Sequence, residues 1–224
     1  MAIRLNTIDP STYGASLLDY SVGSCADINK YLAPSGRMQP VKLKSKVGLR
    51  KISLTFDFSA NTAQQIVTNI SDVTAALRNE ANLELPDGFF YACELDSVSA
   101  PKEKAPWIQQ VTFNFVGYRH GALATTRLTR SGSVNVTGNY DTVATVKLTP
   151  SSGSSTMKYN GITISNVSGA VTIDGFNTTV KDASGNNKFR DTNITEWPVL
   201  KPGSNSITLQ GVSQAEISYY PIYL

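Results

Sequence analysis

The stretch that decides the fold is WPVLKPGSNSITL at residues 197–209, followed after a short gap by ISYYPIY at residues 217–223. Pro202 presets the backbone angle at the start of a turn, and Gly203 supplies the positive φ that a type II turn needs next. Residues 206–210 then alternate polar and apolar side chains, as a half-buried strand does. A turn and two strands here predict the closing part of a β-sandwich.

The rest of the C-terminal half has the same character. It is rich in Thr, Ser, Asn, Val and Gly, and its strand-like runs are separated by the turn pairs Asn160-Gly161, Asp174-Gly175, Ser184-Gly185 and Pro202-Gly203. Turns at such spacing, with no helical segment between them, favour a small all-β sandwich of jelly-roll type.

The N-terminal half mixes strands with one helix. Residues 51–58 alternate polar and apolar side chains, which predicts a strand with one buried face. A helix capped by Ser59 or Asn61 is predicted to run to Ala81. Its apolar positions recur at helical spacing: Ile66, Val67, Ile70, Val73, Ala76 and Leu77. The pair Asp87-Gly88 then predicts a hairpin, and residues 107–118 predict another strand.

Two domains fit a chain of 224 residues. Residues 121–132 are small, polar and without a clear period, which is typical of a boundary. We therefore expect a domain at 1–121, a linker at 122–132 and a second domain at 133–224. The expected fold class is mainly β, either all-β or α+β.

Composition excludes several classes of protein. The 20 basic and 17 acidic residues nearly balance, so nothing indicates a sequence-wide polycation for nucleic acid or anionic lipid. Arg4 and Asp9 interrupt the apolar core that a signal peptide needs, and polar residues interrupt every apolar run before it reaches about 20 residues. We expect no signal peptide, no membrane span, and reduced thiols at Cys25 and Cys93.

Catalytic chemistry finds little support in the sequence. His120 is the only histidine, and we interpret it as an ordinary exposed loop residue at a strand end rather than a general base. No nucleotide-binding or nucleophile motif occurs. Residues 182–191 lack the fixed glycine and glutamate of a calcium loop, so a polar hairpin loop is favoured. We therefore predict no catalytic residue, no metal and no cofactor.

A basic run offers a possible interface. Lys42, Lys44 and Lys46 alternate with other residues, so an extended backbone places all three on one side, and Arg50 with Lys51 lengthens the run. One interpretation is a solvated edge strand whose lysines discourage stray pairing. The other is an arm that grips an acidic surface of an adjacent subunit or partner.

Four aromatic residues of the C-terminal half also have two interpretations. Trp197, Tyr219, Tyr220 and Tyr223 could stack on a sugar ring, because an aromatic face matches the apolar face of a pyranose. Core packing and subunit contact are the favoured alternative.

The closing motif and the two-part order resemble the distal tail proteins of long-tailed, siphovirus-type bacteriophages or prophages. Trp197, Pro198 and Leu200 match the approach to the family's turn. Pro202, Gly203 and Asn205 match the turn itself, and Ile207 with Leu209 the following strand. Tyr219, Pro221 and Tyr223 match the terminal strand.

The resemblance implies a structural virion protein without enzymatic activity. The N-terminal half would be a β-sandwich belt domain with one helix, and the C-terminal half a jelly-roll sandwich like galectins or carbohydrate-binding modules. The protein would form a homohexameric ring at the tail tip or baseplate hub, between the tail tube protein and a tail-tip or tail-associated protein. It would be assembled in the host cytoplasm and bind neither DNA nor membrane. A carbohydrate-binding module or receptor-binding adhesin is the alternative.

Overall fold

The computed structural model describes residues 4–5, 8–25, 27–32, 41–78 and 80–224. These divide into two compact units, one of Met1–Arg119 with Leu224 and one of His120–Tyr223. The expectation of a mainly β fold is confirmed, because strands dominate both units and the described residues contain a single α-helix.

The strands of the first unit are β1 (Arg4–Leu5), β2 (Ala15–Val22), β3 (Asp27–Leu32), β4 (Val41–Val47), β5 (Arg50–Ser59), β6 (Ala81–Glu84), β7 (Phe90–Val98), β8 (Lys102–Ala105) and β9 (Ile108–His120). The main sheet has the order β1-β6-β7-β9-β5-β2, with β8 paired to β9. Strands β3 and β4 form a separate two-stranded sheet. A 3₁₀ turn spans Pro10–Tyr13, and helix α1 spans Ala63–Leu77.

The core of the first unit lies between the main sheet and α1. Along β5 the side chains of Ile52, Leu54, Phe56 and Phe58 are at most 1% exposed, as the alternating sequence predicts. Antiparallel pairing sets Phe56 opposite Val111 on β9. The ring of Phe113, also on β9, lies 6.0 Å from that of Phe56, edge to face. On the other face, the Thr55 and Thr112 hydroxyls hydrogen-bond at 3.0 Å.

Helix α1 begins and ends at different residues than predicted. Its N-cap is Thr62, whose hydroxyl accepts a hydrogen bond from the Gln65 N–H, whereas Ser59 still belongs to β5. It ends at Leu77, because Ala81 already pairs with Cys93 in the β6–β7 hairpin. The buried helix positions are Ile66, Ile70, Val73 and Leu77; the predicted apolar position Val67 is 58% exposed.

The turns before β7 and β9 contain residues with positive φ. The hairpin at Asp87-Gly88 is confirmed: Gly88 has φ +81°, and the Asp87 carboxylate accepts a hydrogen bond from the Phe89 N–H at 3.0 Å. The strand predicted at 107–118 begins one residue later. Trp107 instead occupies the preceding turn with φ +69°, an unusual conformation for a bulky side chain.

The strands of the second unit are β10 (Ala124–Leu128), β11 (Gly132–Val136), β12 (Thr142–Pro150), β13 (Met157–Tyr159), β14 (Ile162–Ile164), β15 (Val171–Asp174), β16 (Thr179–Asp182), β17 (Val199–Leu200), β18 (Gly203–Ile207), β19 (Leu209–Gln210), β20 (Val212–Tyr219) and β21 (Ile222–Tyr223). One sheet has the order β10-β20-β12-β15-β16, with β17 on β12. The others are β11-β18 and β14-β13-β19, and a 3₁₀ turn spans Phe189–Asp191.

These three sheets share one core. Buried side chains from all of them belong to a single cluster that includes Val134, Val146, Tyr159, Ile207 and Ile217. Sheets with a common apolar core are the arrangement expected of a β-sandwich. The jelly-roll order stays a prediction.

The segment predicted as a linker contains regular structure. Residues 124–128 form strand β10, which pairs along its length with β20. Arg127 Nε donates to a Glu216 carboxylate oxygen at 2.7 Å across this pair. The sequence gives little sign of this strand because its half-buried positions are Ala124, Thr126 and Leu128, of which only Leu128 is large and apolar.

Candidate assembly and binding surfaces

The Pro-Gly turn is closed by an asparagine side chain. Gly203 has φ +87°, as predicted. The Asn205 amide accepts a hydrogen bond from the Lys201 N–H at 2.9 Å and donates to the carbonyls of Lys201 at 2.7 Å and Gly203 at 3.0 Å. Pro202, Gly203 and Asn205 thus form one structural unit, which explains why the motif needs these residue types at this spacing.

The strands around the turn are anchored by the other motif residues. Leu200 is buried and pairs with Thr142, while the Pro198 carbonyl accepts a hydrogen bond from the Ala144 N–H at 2.9 Å. Ile207 is buried opposite Gly132. The strand predicted over residues 206–210 is divided, because β18 ends at Ile207 and β19 begins at Leu209.

The terminal strand is also shorter than the run of aromatic residues predicts. Strand β20 ends at Tyr219, which is buried and donates its hydroxyl hydrogen to the Asn135 carbonyl at 3.2 Å. Pro221 cannot donate a ladder hydrogen bond, and its carbonyl accepts one from the Gly121 N–H at 2.8 Å. Tyr223 is half-buried in the short strand β21. Tyr219 therefore fits the core interpretation.

The basic run is divided between two strands. Lys42, Lys44 and Lys46 lie on β4, where Lys44 pairs with Lys30 of β3; their side chains lie outside the described residues. Arg50 and Lys51 lie on β5. Lys51 is exposed, but Arg50 is only 6% exposed and donates to the Gly23 carbonyl at 2.7 Å. The structure therefore does not bring Arg50 to the surface beside the lysines.

His120 is half-buried rather than an exposed loop residue. It ends β9, its ring lies 4.9 Å from that of Tyr220, and its Nδ1 lies 2.8 Å from the Gly121 carbonyl. Burial lowers its pKa, although the Gly121 carbonyl works in the opposite direction.

Three carboxylates of the second unit are held in their ionised form. Burial works against ionisation of Asp174, yet hydrogen bonds from Asn177, Thr145 and the Phe176 N–H hold its pKa below the usual range. Hydrogen bonds from Asn186 lower the pKa of Asp182.

Asp191 follows the same pattern, because a hydrogen bond from Asn166 and an ion pair with Lys188 at 2.9 Å lower its pKa. The loop at 182–191 is thus held by side-chain hydrogen bonds within it, at Asp182–Asn186 and Lys188–Asp191, and by one to Asn166 outside it. Among the residues that the structure describes, no three His, Cys, Asp or Glu side chains form a group that could hold a metal ion.

A groove of about 380 Å³ lies between the β13–β14 turn and the segment that leads into β17. Its lining includes Tyr159, Asn160, Asn193, Glu196 and Trp197. Of these residues, only Trp197 was a candidate binding residue from the sequence. The pair Asn160-Gly161 indicated a turn, but nothing in the sequence places that turn against residues 193–199.

Known proteins resemble the chain in structure only. It matches no protein-family model and no curated protein. Among solved structures, the Dit protein (gp 19.1) of phage SPP1 aligns with a TM-score of 0.79, covering 100% of this chain and 99% of that chain at 15% identity. The fold is that of SPP1 Dit. That protein is described as a paradigm of the hub adsorption apparatus in phages that infect Gram-positive bacteria.

Chains of the phage p2 baseplate have the same fold. A chain of the baseplate in its activated conformation with Ca aligns with a TM-score of 0.63 at 9% identity. The alignment covers 99% of this chain and 98% of that chain. A chain of the same baseplate with Sr aligns with a TM-score of 0.62 at 10% identity, and the alignment covers 98% of this chain and 97% of that chain. The likeness to phage hub proteins expected from the closing motif is confirmed at the level of the fold.

No helix of the described residues is long and apolar enough to cross a membrane.

The closing turn gives a test of its backbone geometry. We predict that Gly203→Val destabilises the second unit by about 1 to 2 kcal/mol, because a β-branched residue resists a positive φ. Space is not the cause, since a Cβ at Gly203 would meet no atom within 4 Å. Thermal and urea unfolding would measure the change.

Gly169→Val is the matched control. A Cβ there also meets no atom within 4 Å, but Gly169 does not have a positive φ. Equal unfolding free energies for the two variants would contradict the turn assignment.

Proposed function

We propose that this protein is a non-enzymatic structural component of a phage tail that forms a ring, a homohexamer, at the distal end. The ring would join the tail tube to the tip or host-adhesion apparatus. The supporting observation is the match to SPP1 Dit, which covers the whole length of both chains at a TM-score of 0.79. Both units of this protein therefore align with SPP1 Dit.

The mechanism is geometric. A closed ring needs a heterologous contact, in which one surface of each copy meets a different surface of the next. Repetition of that contact about one axis leaves a central passage. A stable contact of this kind buries roughly 1,000 Å² or more in total.

The first unit exposes large apolar side chains that suit such contacts. Those at least 37% exposed are Leu18, Leu49, Val67, Trp107 and Tyr118. Trp107 stands in the β8–β9 turn, beside a groove of about 230 Å³ lined by Ile66 and Pro106. Exposed aromatic anchors of this type carry much of the energy of protein interfaces.

The lysines of β4 would serve the same assembly. The two-stranded sheet of β3 and β4 fits the arm interpretation, in which Lys42, Lys44 and Lys46 contact an acidic surface of the neighbouring copy or the tail tube protein. The tail-tip protein would bind elsewhere on the ring. DNA would pass without tight binding, and assembly would take place in the host cytoplasm before the ring is incorporated into the virion.

The state of the carboxylates supports a role without catalysis. A glycosidase needs a general acid with a raised pKa and a second carboxylate about 5 to 10 Å away. Asp174, Asp182 and Asp191 have lowered pKa values, because each carboxylate accepts hydrogen bonds from neighbouring residues.

Native mass spectrometry across a concentration series tests the ring. We expect a hexamer that forms above a threshold concentration without a long series of open intermediates, because closure stabilises the last contact. A strict monomer at every concentration, also in the presence of the tail tube protein, would contradict the proposal.

The basic strand has its own test. Replacing Lys42, Lys44 and Lys46 by Gln keeps length and polarity but removes three charges, so association should weaken. Wild-type association should also weaken as the screening length falls from about 10 Å at 0.1 M salt to about 3 Å at 1 M. Analytical ultracentrifugation at both salt concentrations would measure these changes.

Gln at Lys147, Lys158 and Lys181 is the matched control, because these exposed lysines lie on strands of the second unit and their loss changes the net charge equally. Normal assembly with new aggregation of the β4 variant would instead support an edge strand that discourages stray pairing.

A further inference from the structure

The turn between β8 and β9 carries an exposed tryptophan in a strained conformation. Trp107 follows Pro106 and has φ +69°, which a bulky side chain rarely adopts. It is 55% exposed, so burial of the indole within one copy does not account for the strain. Strained residues cluster at functional sites, and exposed tryptophans often anchor protein interfaces. Trp107 is therefore a candidate anchor for a contact with another molecule.

Two exposed lysines precede this turn. Lys102 and Lys104 lie on β8, and neither forms an ion pair with another described residue. Glu103, between them, lines the groove of about 230 Å³. We call Lys102, Lys104, Pro106 and Trp107 the tryptophan turn. Its charge stays positive even when Glu103 is counted.

Another groove of the first unit has the complementary character. It has a volume of about 310 Å³ and lies across β6, β7 and β9. Its apolar lining includes the exposed side chains of Leu49 and Tyr118 and the half-buried Val116. Glu80 and Glu94 add two exposed carboxylates, and neither forms an ion pair with another described residue. We call this lining the acidic groove.

The tryptophan turn and the acidic groove match in size, polarity and charge. The groove is large enough for an aromatic ring, and its lining is apolar where an indole would pack. Two lysines accompany the indole, and two glutamates accompany the groove. Each surface has one neighbouring charge of the opposite sign, Glu103 at the turn and Lys51 on β5 beside the groove, so the net attraction remains.

One copy cannot bring its own two surfaces together. Strand β9 runs from Ile108 to His120, so Trp107 precedes its first residue and Tyr118 lies near its other end. A strand rises about 3.3 Å per residue, which separates the two surfaces by roughly 35 Å. The groove that receives the turn must therefore belong to another molecule.

We propose that the tryptophan turn of each copy binds in the acidic groove of the next copy. The Trp107 indole would pack on the apolar lining, and the lysines of the turn would pair with the two glutamates of the groove. One surface meets a different surface, so the contact is heterologous and can be repeated about an axis until it closes. This contact rests on the proposed ring and would be one of those that close it.

Charge reversal on each surface tests this contact in the full chain. The turn variant carries Lys102→Glu and Lys104→Glu, and the groove variant carries Glu80→Lys and Glu94→Lys. Either variant alone places like charges across every contact of a ring. We expect each to need a concentration about 10-fold higher than the wild type to form hexamers, measured by native mass spectrometry.

An equal mixture of the two variants restores both kinds of contact. The reversed turn of one variant meets the reversed groove of the other, and the native turn meets the native groove. The two variants can therefore alternate around one ring. With a heavy-isotope label on one variant, we expect native mass spectrometry to detect hexamers that contain equal numbers of both.

The matched control carries Lys158→Glu and Lys181→Glu. These exposed lysines lie on β13 and β16 of the second unit, and their reversal changes the net charge as much as the turn variant does. The control should assemble at the wild-type concentration and should not form mixed rings preferentially with the groove variant.

Trp107→Gly separates binding from folding. Glycine adopts a positive φ without strain, so the melting temperature should not fall. Loss of the indole should raise the concentration needed for assembly about 10-fold. This variant remains informative if charge reversal impairs folding.

Two results would overturn the contact and leave the ring intact. One is a wild-type ring whose assembly Trp107→Gly leaves unchanged. The other is a mixture of folded turn and groove variants that forms no mixed ring. A wild-type protein that never assembles would instead contradict the ring itself, and this contact with it.

Discussion

The structure depends on the alternation of buried and exposed side chains along pairs of long antiparallel strands. In the first unit, β5 and β9 stay in register over ten residue pairs, which places the apolar residues of both on one face. In the second unit, β12 and β20 stay in register from Ala144 to Thr149, before a shift at Pro150, and Val146 lies opposite Ile217. A shift by one residue would expose either core, so the burial of these faces fixes the register of the neighbouring strands.

Asparagine and aspartate side chains stabilise the loops that connect the strands of the second unit. Asn205, Asn160 and Asp174 each satisfy backbone groups of a turn, so the polar composition of the second half is part of its architecture. Of these three turns, the one at Asn160 lines the groove beside Trp197.

Sequence reasoning succeeded where one strong pattern dominates. The alternation in β5 and the positive φ at Gly203 follow from side-chain burial and backbone sterics, and both are observed. It failed where several residues compete or the signal is weak. Thr62 caps the helix rather than its polar neighbours, and β10 is an edge strand without apolar alternation. The groove could not be predicted from the sequence, because only the fold brings Tyr159 and Asn193 together.

The fold shared with phage hub proteins leads us to propose assembly into a ring, and electron microscopy of the purified protein tests that proposal most directly. Class averages should contain ring-shaped particles with sixfold symmetry and a central opening. Particles that correspond only to single copies, even after addition of the tail tube protein, would contradict it.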